Sequence, residues 1–420
     1  MRHAALIVEA VLAAAATGGV SIIWLAEQRQ TLPAEAGVFV EFGPTTTVRR
    51  TVGDQSAILT ITEAASAELA SATARTLAPL TDPGAADNAA VPDHVGLFDV
   101  LGADVLDPGS IAEGWKQANP NQLLAAIGIG RSGPLLLDLG NDGDGPHGLV
   151  AGSTGSGKSE FLQALVLSLA ANYSPKHLNF LFVDFKGGLT FRDLVGLPHA
   201  VGMVRNLDTA MALRAKRSLQ AEARRRQRIL HHHGAVNLND LRQRAPHEQL
   251  PALVIIVDEY AELAQKLPEF LESLVEVAQT GRALGLHLLL ATQSPGQSVS
   301  KNIQNCVKYR ISFRLEDSSE SMAVLGRGRD AAQLPNRAGR GLLRDGNARL
   351  HEFQAAWAGG RSDIDEPHRA SAATLYGPRP KSKSTEGVPT DLDRVTGSIQ
   401  AAAALAQTPA PRRPWLEPLE

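Results

Sequence analysis

One octapeptide restricts the fold of this chain more than any other feature: Gly152-Ser153-Thr154-Gly155-Ser156-Gly157-Lys158-Ser159. It satisfies G-x-x-x-x-G-K-[ST] at every fixed position. An apolar stretch, Leu149 to Ala151, leads into it, and a helical run, Glu160 to Ala171, leads out. Glycines at these places let the backbone curl so that successive N–H groups converge on one anion. The N-terminus of the following helix adds partial positive charge at the same point. Lys158 is then spaced to reach the β- and γ-phosphates of a nucleoside triphosphate, and the Ser159 hydroxyl to meet a Mg²⁺ ion.

A second apolar run, Leu253 to Val257, ends in Asp258-Glu259. In a parallel sheet its carboxyl end faces the same crevice as the phosphate loop. Asp258 would hold Mg²⁺ through water, and Glu259 would orient or deprotonate the attacking water. A third buried strand, Leu286 to Thr292, ends in Gln293, which is placed to contact the γ-phosphate or that water. The further strand Leu178 to Phe185 lies in sequence between the phosphate loop and the acidic strand. This spacing suggests the additional-strand, RecA-like class of P-loop ATPases, an α/β fold with a mostly parallel sheet. Such enzymes use Glu as base and work as rings in which a neighbour lends an arginine. Arg282, in Gly281-Arg282-Ala283-Leu284-Gly285, is the first candidate for that finger. Arg214 and Arg217 are alternatives on the preceding helix.

Composition narrows the remaining classes. The chain has 420 residues, enough for two or three domains, and 41 basic against 44 acidic residues leave a net charge of −3. There is no global pull toward nucleic acid, so any such contact needs a local patch. A single cysteine, Cys306, excludes an internal disulfide, and no zinc-ligand spacing is present. Residues 1–80 read as a partial α/β region, with strands at 20–25, 38–42 and 57–61 and a helix at 64–77. Residues 81–92 read as a linker, and 93–358 as the ATPase domain. Residues 359–420 read as a Pro-rich flexible tail with a short helix capped by Thr390. Ala4 to Ala26 is apolar, but Glu9 and Gly18-Gly19 interrupt it. An amphipathic helix followed by a buried strand fits it better than a membrane span.

Several longer stretches carry a family resemblance. They are Pro146 to Gly152 with the phosphate loop, Val183-Asp184-Phe185-Lys186-Gly187-Gly188, Leu197-Pro198-His199, Glu222 with Arg224 to Gln227, Ala291 to Pro295, Gly339-Arg340-Gly341, and Phe353 to Trp357. Together they resemble the FtsK/SpoIIIE ATPases, and within them the EccC/EssC motors of type VII secretion. The resemblance implies binding of ATP and Mg²⁺ and hydrolysis that moves a polymer through a ring, a hexamer in this family. The ring would be built from copies of the chain or from other ATPase modules. The implied cargo is small helical secreted proteins, and the implied place is the cytoplasmic face of a membrane secretion complex. DNA is the alternative cargo, and a nucleotide-gated scaffold with little hydrolysis of its own is a third reading. Motors of this family carry N-terminal transmembrane helices and three tandem modules. One module here suggests a split gene product, a truncated reading frame, or a component whose partner modules lie on another chain.

The rest of the sequence reads more plainly. Arg224-Arg225-Arg226 and Arg228 point several ways around a helix, and Glu222 is spaced to pair with Arg226, so a solvated helix face is expected rather than a DNA contact. His231 to His233 lack metal-ligand spacing. Trp24, Trp115 and Trp357 read as packing residues, and Trp415 as a contact for a partner module.

Overall fold

The computed structural model describes residues 38–41, 46–52, 55–61, 90–184, 190–205, 209–295, 301–362 and 389–414. The chain divides into two compact units, Met1–Leu80 and Thr81–Glu420. In the first, strands β1 (Val38–Glu41), β2 (Thr46–Val52) and β3 (Gln55–Ile61) form an antiparallel sheet in the order β1-β2-β3. The sequence reading finds β1 and β3 and misses β2, whose Thr-Thr-Val-Arg-Arg-Thr-Val run is β-branched but half polar. The expected elements at 4–26 and 64–77 lie outside the described residues. Among the described residues, no helix is long and apolar enough to cross a membrane.

The second unit is built on one ten-stranded sheet. It opens with two short helices, α1 (Leu97–Leu101) and α2 (Pro108–Gln117), and an antiparallel pair, β4 (Leu124–Gly130) and β5 (Gly133–Asp138). Strand β6 (Gly148–Ala151) then runs into the glycine-rich loop and helix α3 (Lys158–Asn172). There follow β7 (Leu178–Asp184), β8 (Ala200–Arg205), the long helix α4 (Thr209–His232) and α5 (Leu238–Arg244). The acidic strand is β9 (Ala252–Asp258), followed by α6 (Tyr260–Lys266), α7 (Pro268–Gly281) and β10 (Leu286–Thr292). The last elements are α8 (Lys301–Cys306), β11 (Tyr309–Phe313), α9 (Ser318–Leu325), β12 (Arg340–Arg344), β13 (Leu350–Ala355) and α10 (Asp391–Leu405).

The strand order is β5-β4-β13-β12-β11-β6-β10-β9-β7-β8. From β8 to β11 all neighbours are parallel, and from β11 to β5 all are antiparallel. The parallel strands β7, β9 and β10 are buried at every position. Their near-continuous apolar runs are what a strand covered on both faces requires. The strand that separates β6 from β9 in space is β10, so the sheet has the additional-strand arrangement. Strand β7, which separates them in sequence, lies on the far side of β9.

Helix α3 is buried nearly all round, from Phe161 to Ala171, and is therefore a core helix rather than a surface one. Helix α2 packs on it, with Trp115 Nε1 donating to Ala170 O at 3.1 Å. Helix α10 packs on it too and buries Leu392, Val395 and Ile399 in the main core. Thr390 caps α10 through a reciprocal box with Asp393. The sequence groups this helix with a flexible tail, but its apolar stripe makes it part of the second unit's core.

Candidate functional site

The parallel strands β6, β9, β10 and β7 all end at one edge of the sheet. Ala151 is in register with Thr292 of β10, and Asp258 with Asp184 of β7. The residues that follow these positions therefore meet above the same edge. The loop after β6 is pinned on both sides. Gly152 N donates to Thr292 O at 3.2 Å, and Ser153 N and Oγ both donate to Arg314 O at 3.0 Å. Gly157 sits at φ 95° at the start of α3, and a Cβ there would collide with Gly339 N. Only glycine serves at that position, since it needs both a left-handed backbone and room for the neighbouring chain. Gly339 N in turn donates to Ser156 O at 2.8 Å, so the loop is held from the β12 side as well.

Lys158 begins α3 and is buried. Its ammonium donates to Asp258 Oδ1 and, at 2.7 Å, to Glu259 Oε1. One cation thus faces two buried carboxylates across the crevice. Glu259 stands at φ 57°, ψ 48°, a left-handed conformation rare for a residue with a side chain. Strain of this kind costs on the order of 1–3 kcal/mol and collects where a side chain must be aimed. Thr154 Oγ1 donates to Gln293 Oε1 at 2.9 Å, which brings the end of β10 onto the loop. Ser156 Oγ is buried without a hydrogen-bond partner. The first-turn amides of α3 have no intrahelical acceptor, by the geometry of any helix start.

These features fit a nucleotide with its metal. The orphaned Ser156 hydroxyl and the α3 amides supply donors for phosphate oxygens, and Lys158 supplies charge. Ser159, exposed beside the crevice, and the Asp258 carboxylate are hard oxygen donors of the type Mg²⁺ takes.

Two residues at this site escape the sequence reading. Thr190 Oγ1 donates to Asp258 Oδ2 at 2.7 Å, and Thr190 N donates to Asp184 Oδ2 at 3.2 Å. Gln163 on α3 holds Thr190 by donating to its carbonyl at 2.9 Å. Thr190 therefore ties the acid at the end of β7 to the acid at the end of β9. The available signal was that both strands end in Asp. Two adjacent parallel strands ending alike at one register need a donor between their carboxylates.

Arg282 stands apart from this cluster. It precedes β10, at the opposite edge of the sheet, where Asn141 Nδ2 donates to its carbonyl at 2.9 Å and its guanidinium donates to Asn141 O at 3.3 Å. It does not reach the site of its own chain. Arg214 and Arg217 lie exposed on α4.

The basic run on α4 is less solvated than its composition suggests. Arg226 is buried, donating to Glu222 Oε1 at 2.9 Å and to Leu284 O at 2.9 Å, while Arg225 also pairs with Glu222. Burial alone would push Glu222 up, but Arg225 and Arg226 together hold its carboxyl at about 2. Burial lowers the Arg226 guanidinium to about 10 despite Glu222. The i,i+4 spacing is realised as an internal clamp rather than as an exposed pair. Among the described residues, no group of histidine, cysteine and carboxylate side chains is arranged to hold a metal by itself. Trp357, read as a packing residue, is 44% exposed.

Comparison with known proteins agrees with this geometry. Residues 112–297 match the model of the FtsK/SpoIIIE family. The chain is 35% identical over 355 residues to the type VII secretion system protein EssC of Staphylococcus aureus, an alignment covering 79% of this chain and 24% of EssC. It thus spans about a quarter of the length of that relative. The cytoplasmic domain of the type VII secretion ATPase EccC of Thermomonospora curvata superposes with a TM-score of 0.65 at 34% identity, covering 78% of this chain and 36% of that one. The pCW3 conjugation coupling protein TcpA, solved with ATPγS, superposes with a TM-score of 0.51 at 26% identity, covering 64% of this chain and 71% of that one. The fold is that of the RecA-like P-loop ATPases.

Proposed function

We propose, for a chain that carries a domain of the FtsK/SpoIIIE family, that it binds Mg-ATP and hydrolyses it as a motor module driving export of small helical proteins in a type VII secretion-like system. The observation that carries this reading is the Lys158–Asp258–Glu259 cluster at the carboxyl edge of the parallel strands. Lys158 pairs with both carboxylates, and it is also the residue that reaches for the phosphates. A triphosphate draws Lys158 away from the acids. Asp258 and Ser159 would hold the metal, and Glu259 is left to take a proton from water. Bound Mg²⁺ supplies charge neutralisation on the phosphate oxygens. Gln293, already on the loop through Thr154, orients the water or the γ-phosphate.

Arg282 acts in the site of a neighbouring module, because it is too far around the sheet to serve its own. Neighbours are copies of this chain or other ATPase modules in a ring, which we take to be a hexamer at the inner face of a membrane secretion complex. Protein cargo is favoured over DNA because the most basic stretch spends Arg225 and Arg226 on Glu222.

The test is Glu259→Gln. ATP should bind as in the wild type while turnover falls about 10²- to 10⁴-fold. Unchanged turnover would remove Glu259 from the mechanism. Hydrolysis stimulated by duplex DNA at low salt, and lost steeply with added salt, would transfer the reading to a DNA translocase.

A further inference from the structure

Strand β13 runs antiparallel to β12, which runs antiparallel to β11. It therefore points the same way as β6 and ends at the same edge of the sheet as the glycine-rich loop. The chain leaves β13 through Ala356 and Trp357. Trp357 N donates to Val95 O at 2.9 Å, which brings the segment before α1 alongside. His94, exposed in that segment, stands against the Trp357 ring edge to face, with centroids 5.4 Å apart.

This aromatic pair is fastened to the start of α3. Gly359 N donates to Glu160 Oε2 at 3.1 Å, and Glu160 is two residues beyond Lys158. A Cβ on Gly359 would stand 2.9 Å from Trp357 Nε1 and 3.3 Å from Glu160 Oε2. The indole and the first turn of the phosphate-binding helix thus flank one backbone atom. Of the large apolar side chains exposed among the described residues, Trp357 alone is aromatic. A half-exposed tryptophan leaves much of its apolar face in water, and a flat π-face of that size is a stacking surface for a nucleobase.

We propose that Trp357, with His94 beside it, receives the base of the nucleotide whose phosphates the loop 152–159 holds. The inference rests on the nucleotide reading above and adds the part of the ligand that the phosphate loop leaves outside. The ligand is a nucleoside di- or triphosphate, recognised through the face of its base rather than its edge groups. Stacking of this kind discriminates weakly among bases, so ADP and GDP share the contact.

The experiment is calorimetric titration of the full chain with Mg-ADP and, separately, with Mg-tripolyphosphate, which carries phosphates and no base. Trp357→Ala should weaken ADP about tenfold and leave tripolyphosphate unchanged. Trp357→Phe should restore most of the ADP affinity, and His94→Ala should produce a smaller loss confined to ADP. Equal ADP affinity in wild type and Trp357→Ala would overturn the proposal. If Trp357→Ala loses both ligands, the variant has disturbed the fold, and His94→Ala decides: an ADP-confined loss supports the stack, no loss overturns it. A wild type that binds neither probe would instead overturn the phosphate-loop reading on which the proposal stands.

Discussion

Two buried ionic clusters in this molecule use the same chemistry to opposite ends. Around Glu222, one carboxylate meets Arg225, Arg226 and Arg412, and Arg226 also caps Leu284 O. Every group there has its partner within the fold. Around Lys158, one cation meets two carboxylates, a neighbouring hydroxyl is left without a partner, and the residue carrying one of the acids is in a left-handed conformation. The first cluster is complete and fixes α4 against the turn before β10. The second is incomplete: the Ser156 hydroxyl has no partner and two carboxylates share one lysine. An ion pair that the fold satisfies by itself is structural, whereas one that leaves donors over is set for exchange.

The largest expected effect breaks the complete cluster. Arg226→Ala removes the buried one of the three arginines on Glu222 and leaves Leu284 O without its donor; it should cost about 2–4 kcal/mol in denaturant unfolding, with nucleotide affinity of the folded protein unchanged. A loss below about 1 kcal/mol would mean that the clamp is solvated after all. Acid should titrate the same cluster. Folded Glu222 stays ionised down to about pH 2, while in the unfolded chain it takes its proton near the ordinary 4.5. Its contribution is therefore present above pH 4.5 and lost as pH falls through that interval toward 2. It amounts to about 3 kcal/mol, and Arg226→Ala should reduce that part of the stability–pH curve without abolishing it, since Arg225 still holds the carboxyl.

The incomplete cluster should respond to ligand instead. Mg-ADP at a hundred times its Kd should stabilise wild type and Arg226→Ala equally, by about 2.7 kcal/mol, as a rise in Tm. Unequal stabilisation would show that the two clusters are coupled. The smallest effect sharpens the geometry of the site. Thr190→Val takes the hydroxyl from Asp258 Oδ2 and should cost about 1–2 kcal/mol of stability and raise the Mg²⁺ concentration needed for nucleotide binding. Thr190→Ser should restore both, and a variant with wild-type Mg²⁺ dependence would limit Thr190 to packing.

What could be read from the sequence was what depends on short-range order. The phosphate loop, the acidic end of β9 and Gln293 at the end of β10 are each fixed by a strand and its next few residues, and the parallel sheet brings the three together as those residues imply. What could not be read depends on which strands are neighbours. The additional-strand class is expected, but that the inserted strand is β10 rather than β7 is a spatial fact that chain order conceals. Thr190 gains its importance only because β7 lies beside β9. Trp357 looks like core when counted with Phe353 and Ala355, which are buried, but it follows the end of β13 and turns outward. Strand β8 escapes because Ala-Val-Gly-Met-Val-Arg is short, interrupted by glycine and at the sheet edge.

The central claim is that the turn carrying Lys158 and Ser159 shares one magnesium-bound triphosphate with the Asp258/Glu259 tip. It is tested most directly by the affinity of ATPγS, with and without Mg²⁺, for the wild type and for Lys158→Ala. The account predicts Mg²⁺-dependent binding by the wild type and a loss of about a hundredfold or more in the variant. Equal affinity in the two proteins, or wild-type binding indifferent to Mg²⁺, would contradict it.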